Sequence, residues 1–162
     1  MEIDVGADPI DRAKATVSQY TYVEKHNPAN ASGILHTVKV YANTKAKDMS
    51  GLRVGTFYVI EGSWLKCRDS VLIGDVPTGS EQTFTGLSID VQEGDYIGCY
   101  FTTGGLERDT RGYVGNWYKI GEYIDPGDDA VFGFQPGYQI SLYGIGEAVA
   151  AKSRSFGVII GD

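Results

Sequence analysis

The sequence has only two cysteines and two histidines, which leaves little material for redox, metal-binding or histidine-based acid–base chemistry. Cys67 and Cys99 stand far apart and match no metal-binding or redox spacing. We therefore expect two buried, reduced thiols, with a disulfide as the alternative. His26 falls in a polar loop and His36 in a strand, and we expect both to be structural.

Long apolar runs and an excess of basic residues are also missing. No run approaches the roughly 20 residues of a membrane-spanning helix, and the first residues are too acidic for a signal peptide. The 14 Lys and Arg residues stand against 21 Asp and Glu, for a net charge of −7. Because this balance disfavours binding to nucleic acid or anionic lipid, we expect no nucleic-acid partner and no membrane insertion.

Motifs that carry catalysis are absent as well. The chain has no G-x-S-x-G nucleophile elbow, no phosphate-binding loop and no dinucleotide-binding fingerprint. A glycosidase pair would have to come from Glu107 with Asp109, or from Asp125 with Asp128 or Asp129. Loop carboxylates beside Gly and Pro are ordinarily solvated, so we expect no enzymatic activity.

Glycine and tyrosine, by contrast, are abundant, at 22 and 11 residues, which is typical of short strands joined by turns. Strands are predicted over 34–41, 54–60, 64–73, 83–91, 95–101, 130–134 and 138–143, mostly from period-two alternation. Strands at intervals of roughly 10–15 residues, without a convincing helix, predict an all-β antiparallel sandwich. The expected core contains Val38, Val40, Val54, Ile89, Val91, Ile97, Phe101, Ile140 and Leu142.

Other segments carry weaker signals. Residues 2–16 are predicted to be extended chain, residues 106–129 to be irregular, and Pro136-Gly137 to form a turn. Residues 147–152 resemble two helical turns at most, which are marginal alone. The apolar segment 156–160 predicts a short strand.

Three segments resemble a known fold in their order along the chain. They read S-G-I-L-H-T-V-K-V-Y at 32–41, V-G-T-F-Y at 54–58 and V-Q-E-G-D-Y-I-G at 91–98, and the closing segment 135–144 fits the same pattern. In this order they resemble jelly-roll modules of bacterial surface proteins and of environmental, phage-associated sequences. The resemblance covers about residues 16–144. It implies a jelly-roll β-sandwich used for binding, adhesion or assembly, with no catalytic residues to transfer.

The resemblance and the missing catalytic motifs together predict a non-enzymatic structural module. We expect a phage or virion surface protein, a capsid decoration or tail-associated protein, that associates with copies of itself or with other virion subunits. Its expected location is a virion or extracellular surface. The alternative is a carbohydrate-binding or adhesion module of a cell-surface protein, with a glycan as its ligand. The expected division is a sandwich domain at residues 1–144 and a C-terminal tail at residues 145–162.

A cluster of aromatic and polar side chains between residues 112 and 123 is the candidate ligand or partner surface. Tyrosine and tryptophan serve both sugar recognition and protein interfaces, because they offer large contact area at low entropy cost. Strand alternation would instead direct half of them into the core. The candidate residues are Tyr113, Asn116, Trp117, Tyr118 and Tyr123.

Two further candidates lie toward the C-terminus. An apolar strand at a terminus must pair with a sheet edge of its own sandwich or of a neighbour, which makes the tail a candidate assembly segment through Phe156, Val158, Ile159 and Ile160. No cofactor is expected, but jelly-roll modules often hold a structural calcium ion. Its candidate ligands are Asp125, Asp128 and Asp129, although aspartates that cap their own turn are the alternative.

Overall fold

The computed structural model describes residues 1–149, and its regular elements are all β-strands. No helix in this part of the chain is long and apolar enough to cross a membrane. The strands are β1 (Glu2–Gly6), β2 (Lys14–Ala15), β3 (Tyr20–Glu24), β4 (Gly33–Tyr41), β5 (Met49–Glu61), β6 (Trp64–Val76), β7 (Glu81–Phe84), β8 (Ile89–Val91), β9 (Tyr96–Tyr100), β10 (Glu107–Ile120), β11 (Asp129–Val131), β12 (Gly133–Ile140) and β13 (Leu142–Ala148).

These strands form two antiparallel sheets. The first sheet has the order β1-β13-β4-β7, with β8 also paired to β4. The second sheet has the order β11-β6-β5-β9-β3-β10-β12, with β2 also paired to β10. Apolar side chains from both sheets pack together as the main core. The predicted all-β antiparallel sandwich is therefore confirmed.

The main core contains every residue that the alternation predicted for it. All nine side chains are at most 2% exposed. Val38 and Val40 of β4, and Ile89 and Val91 of β8, fall on alternate positions, so that one face of each of these strands packs into the main core. The period-two pattern therefore identified the buried face correctly.

Both cysteines are buried free thiols, as predicted. Cys99 lies in the main core and Cys67 in a second apolar cluster. Burial raises the pKa of Cys67 to about 12 and raises that of Cys99 well above its ordinary value. Neither side chain is therefore a reactive thiolate at neutral pH.

The expectation of an irregular region at 106–129 is wrong, because most of it is β10, a strand of 14 residues. Its pairing with β12 shifts register between Asp109 and Tyr113 and again between Tyr113 and Asn116. Gly112 and Gly115 have φ angles of 92° and 121° at these shifts, values that side-chain-bearing residues rarely adopt. Such bulges break the period of two, which hid the strand in the sequence.

Other predicted boundaries also need correction. The strand expected at 83–91 is two strands, β7 and β8, separated by a bend at Gly86 with φ 71°. Pro136-Gly137 lies inside β12 rather than in a turn. Because β12 is an edge strand, the missing N–H of Pro136 interrupts no inner ladder.

The two ends of the described chain pair with each other. β1 lies within the segment expected to be extended and pairs with β13. Glu147 and Ala148 belong to β13 and not to a helix, so residues 145–148 of the predicted tail are part of the first sheet. The rest of the predicted tail lies outside the described residues, apart from Val149, whose N–H donates to the Ser32 carbonyl.

Replacing Ile97 by Ala should lower the free energy of unfolding by about 2–5 kcal/mol, because the lost methyl groups leave a cavity between the sheets. Ile97 is fully buried and approaches the backbone at Gly144. Urea unfolding followed by circular dichroism measures the loss. The control is Leu72→Ala, at a side chain that is 68% exposed, with an expected change below about 0.5 kcal/mol. Equal losses in both variants would contradict the described core.

Candidate functional site

The five residues of the predicted ligand surface do not share one surface. Tyr113 is 43% exposed, and the Arg12 guanidinium lies 5.5 Å from its ring centre. Tyr118 is half-buried against the main core, whereas Tyr123 is half-buried against the second cluster. Asn116 is fully buried. Ligand binding at this group stays a prediction, and Tyr113 is its exposed member.

Trp117, the fifth of these residues, packs in the interior with 3% of its surface exposed. Its ring meets Tyr96 and Phe134 edge to face, at centroid distances of 5.0 and 5.7 Å. The Lys25 ammonium lies 5.4 Å from the centre of the same ring. Core packing, the alternative left open by the sequence, is therefore the observed role of this side chain.

Trp117 belongs to a second apolar cluster, the minor core, on the face of the second sheet turned away from the first sheet. In β9, Ile97 and Cys99 enter the main core, while Tyr96 and Tyr100 pack against the minor core. The connection 121–132 covers this cluster through Ile124. The members of the minor core are Val23, Phe57, Leu65, Cys67, Trp117, Ile124 and Phe132.

The minor core fixes the position of the hairpin formed by β5 and β6. The hairpin turn lies between Glu61 and Trp64, which pair with each other. The Trp117 indole N–H donates to Ser63 Oγ at 3.2 Å. The Phe132 N–H donates to the Ser63 carbonyl at 2.8 Å. The side chain and the backbone of Ser63 therefore both hold this turn in place.

The tip of this hairpin presents exposed apolar side chains, which we name the hairpin patch. Val59, Ile60 and Trp64 are 38%, 40% and 39% exposed, and Val131 of β11 is 66% exposed. Trp64 and Val131 are directly opposed and share one face of the sheet, while Val59 opposes Leu65 on the other face. Neighbouring exposed apolar residues on one face, such as Trp64 and Val131, are typical of interaction sites.

No sequence motif marks the hairpin patch. The two apolar faces of segment 54–60 predict a central strand, and β5 does lie between β6 and β9. Its last residues, however, extend past β9, which pairs with β5 only at residues 53–57. The position of Val59 and Ile60 beside the turn at 61–63 was the available signal.

The acidic turn after Tyr123 is bound internally. Asp125 Oδ1 lies 2.7 Å from Arg53 Nη1, and Asp128 Oδ2 accepts from the Asp125 N–H at 3.0 Å. Burial alone would lower the pKa of Arg53, but its hydrogen bonds to Asp125 and Glu122 outweigh this and raise it. Asp129 is exposed and pairs through its backbone with Lys66. The turn therefore has the self-capped arrangement that was the alternative to a calcium site.

Residues 1–149 contain no group of three or more His, Cys, Asp or Glu side chains arranged to hold a metal ion. His26 is exposed after β3, and His36 Nδ1 contacts Thr37 Oγ1 at 2.8 Å within β4. The predicted assembly residues Phe156, Val158, Ile159 and Ile160 lie outside the described residues.

The fold therefore defines the chain as an all-β, two-sheet antiparallel sandwich. No protein-family model matches the sequence, and no curated protein matches it. The case for a function consequently depends on the geometry of the sandwich and of its hairpin patch.

Replacing Trp117 by Ala should lower the free energy of unfolding by about 3–5 kcal/mol, because a large buried ring is removed from the minor core. Tyr113→Ala is the matched control on the same strand. Its ring is partly exposed and contacts one guanidinium, so a loss below about 1 kcal/mol is expected. Chemical unfolding measures both losses. A Trp117→Ala protein as stable as wild type would show that the minor core does not hold the hairpin.

Proposed function

We propose that the chain is a non-enzymatic structural module that associates with copies of itself, and that the hairpin patch is its contact surface. As the sequence resemblance implies, the proposed setting is a phage or virion surface, in a capsid decoration or tail-associated protein. The observation that carries the proposal is a rigidly held hairpin tip with an exposed tryptophan and three exposed aliphatic side chains.

The physical case for association rests on burial. A partner that covered Trp64 and Val131 would gain roughly 25 cal/mol of binding free energy for each Å² of apolar surface removed from water. Tryptophan is among the residues that dominate interface energies, particularly where its position is fixed before binding. The anchoring of Ser63 by Trp117 and Phe132 provides that fixed position.

The strand order supports a jelly-roll assignment for the sandwich. The chain passes from β1 in the first sheet to β3 in the second, returns to β4, crosses to β5 and β6, and returns to β7 and β8. It then crosses to β9 and finally returns to β13, between β1 and β4. Such crossings produce the two interlocked Greek keys of a jelly roll. In this interpretation β10 and β12 are additions at one edge of the second sheet, and β11 at the other.

Changing Trp64 and Val131 together to Ser should weaken self-association by roughly 30-fold or more, since interface hot spots contribute at least about 2 kcal/mol. Mass in solution, measured by light scattering over a range of concentrations, gives the dissociation constant. We expect multimers for the wild type and a shift toward the single-chain mass for the variant. Leu72→Ser, on β6 but away from the patch, should leave the distribution unchanged.

The outcome that contradicts this proposal is a wild-type protein with the single-chain mass at all concentrations. Equal mass distributions for the wild type and the double variant would also contradict it. Unfolding curves for the same samples show whether a loss of association reflects a loss of folding.

The tail is the second proposed assembly element, and its test is independent of the hairpin patch. A chain that ends at residue 152 lacks the apolar segment 156–160. If that segment pairs with the sheet edge of a neighbouring copy, this truncation should lower the mass in solution. A truncated chain that assembles like the full-length one would show that the segment serves no intermolecular contact.

The alternative function is carbohydrate binding or adhesion. Two observations favour it specifically: the aromatic residues Trp64 and Tyr113 are 39% and 43% exposed on strands of the second sheet. A glycan array distinguishes the two functions. A defined sugar ligand whose binding is lost in Trp64→Ser or Tyr113→Ala would favour the alternative, whereas no bound glycan together with concentration-dependent mass would favour assembly.

A further inference from the structure

Glu24, the last residue of β3, is a fully buried carboxyl group. Its Oε1 accepts from the Ile140 N–H at 2.9 Å, and its Oε2 accepts from the His26 N–H at 3.0 Å. Among the described residues no Lys, Arg or His side chain comes within 4.0 Å of this carboxyl to form an ion pair. The group is therefore removed from water without a direct ion pair, which disfavours its charged form.

Asn116 lies directly opposite Glu24 on the neighbouring strand. It is the register partner of Glu24 in the β3–β10 pairing and is also fully buried. Directly opposed residues of antiparallel strands point to the same face, with Cβ atoms about 5 Å apart. The Asn116 Oδ1 atom is buried and has no hydrogen-bond partner among the described residues.

The orientation of the Asn116 amide is fixed by its other contacts. Its Nδ2 donates to the Trp117 carbonyl at 3.1 Å and to Gln135 Oε1 at 3.2 Å. Rotating the amide by 180° would place Oδ1 against the Trp117 carbonyl, which is another acceptor. Oδ1 therefore needs a donor from a different group, and a protonated carboxyl carries one O–H donor.

We propose that Glu24 is a proton-binding site that connects β3 to β10: its protonated carboxyl donates to Asn116 Oδ1, and release of the proton breaks this contact. This hydrogen bond stabilises both groups, because the Glu24 carboxyl stays uncharged and Asn116 Oδ1 accepts from a donor. Burial raises the pKa of Glu24 to about 7, although its backbone hydrogen bonds and the charge of Arg12 act in the opposite direction.

The surroundings of Glu24 hold few other groups that titrate near neutral pH. Arg12, from the segment between β1 and β2, is bound to Asp109 at 2.9 Å. Cys99 of β9 stays protonated because burial raises its pKa. The backbone of β12 contributes the Ile140 N–H. After β3, His26 donates through its backbone while its side chain is exposed, and the Lys25 ammonium lies over the rings of Trp117 and Phe134.

The segment that responds to this proton is the bulged part of β10. The Gly115 carbonyl accepts from the Lys25 N–H at 3.2 Å, immediately before the paired residues 116–120. When Glu24 ionises, the end of the β3–β10 ladder loses a side-chain contact beside the register shift at Tyr113. The proposal therefore predicts that β10 opens more easily above neutral pH than below it.

The test compares stability across pH for wild type and Glu24→Gln. The Gln amide keeps a donor for Asn116 and cannot ionise. For the wild type, the folded state holds a proton that the unfolded state has released between pH 4.5 and about 7. Relative to Glu24→Gln, the wild-type folding equilibrium constant should therefore fall as pH rises, by roughly tenfold per pH unit within that window.

Exchange of the backbone amide protons of residues 115–117 should follow the same pH dependence, after correction for intrinsic rates. Glu93→Gln, at an exposed glutamate, is the control and should follow the wild-type profile. A Glu24→Gln profile parallel to that of the wild type would overturn the proposal. If Glu24→Gln does not fold, carboxyl ¹³C NMR of the wild type decides: a Glu24 titration midpoint near 7 supports the proton site, and a midpoint below about 5 overturns it.

Discussion

The structure depends on the packing of Trp117 into the face of the second sheet that is turned away from the first. A two-sheet sandwich needs one buried face per sheet, but this second sheet has two, because the minor core lies opposite the main core. The added cluster keeps the connection 121–132 on the sheet and holds the hairpin turn through Ser63. One ring therefore contacts the covering chain and positions the turn beside the exposed apolar side chains of the hairpin patch.

Rigidity and exposure are thus combined at the hairpin. An exposed tryptophan on a mobile loop would lose much of its binding energy to ordering, whereas Trp64 is already held between β5 and β11. The pairing of β3 with β10 differs from the hairpin, because it buries polar side chains. There Glu24 and Asn116 are buried polar side chains, and the Asn116 Oδ1 atom has no hydrogen-bond partner among the described residues. The proposed proton on Glu24 would supply that partner.

Sequence patterns identified the buried residues wherever a strand presents one regular face to the main core. Val38 and Val40 of β4 and Ile97 of β9 were identified because alternation and burial coincide. The pattern failed in β10, where bulges at Gly112 and Gly115 change the side-chain direction. It could not show that Trp117 is covered, because the covering segment is polar, with acidic residues beside Pro and Gly. The burial of Glu24 was equally hidden, since it depends on strands distant in sequence that close around it.

Hydrogen exchange at two protein concentrations shows whether the hairpin patch is a surface for association. At high concentration, we predict slower exchange for the backbone amides of residues 59–64 and 129–131 and unchanged exchange for the exposed part of β6 near Leu72. Concentration-dependent protection that appears elsewhere and leaves the hairpin unchanged would contradict the claim. Exchange that is independent of concentration throughout the chain would contradict it equally.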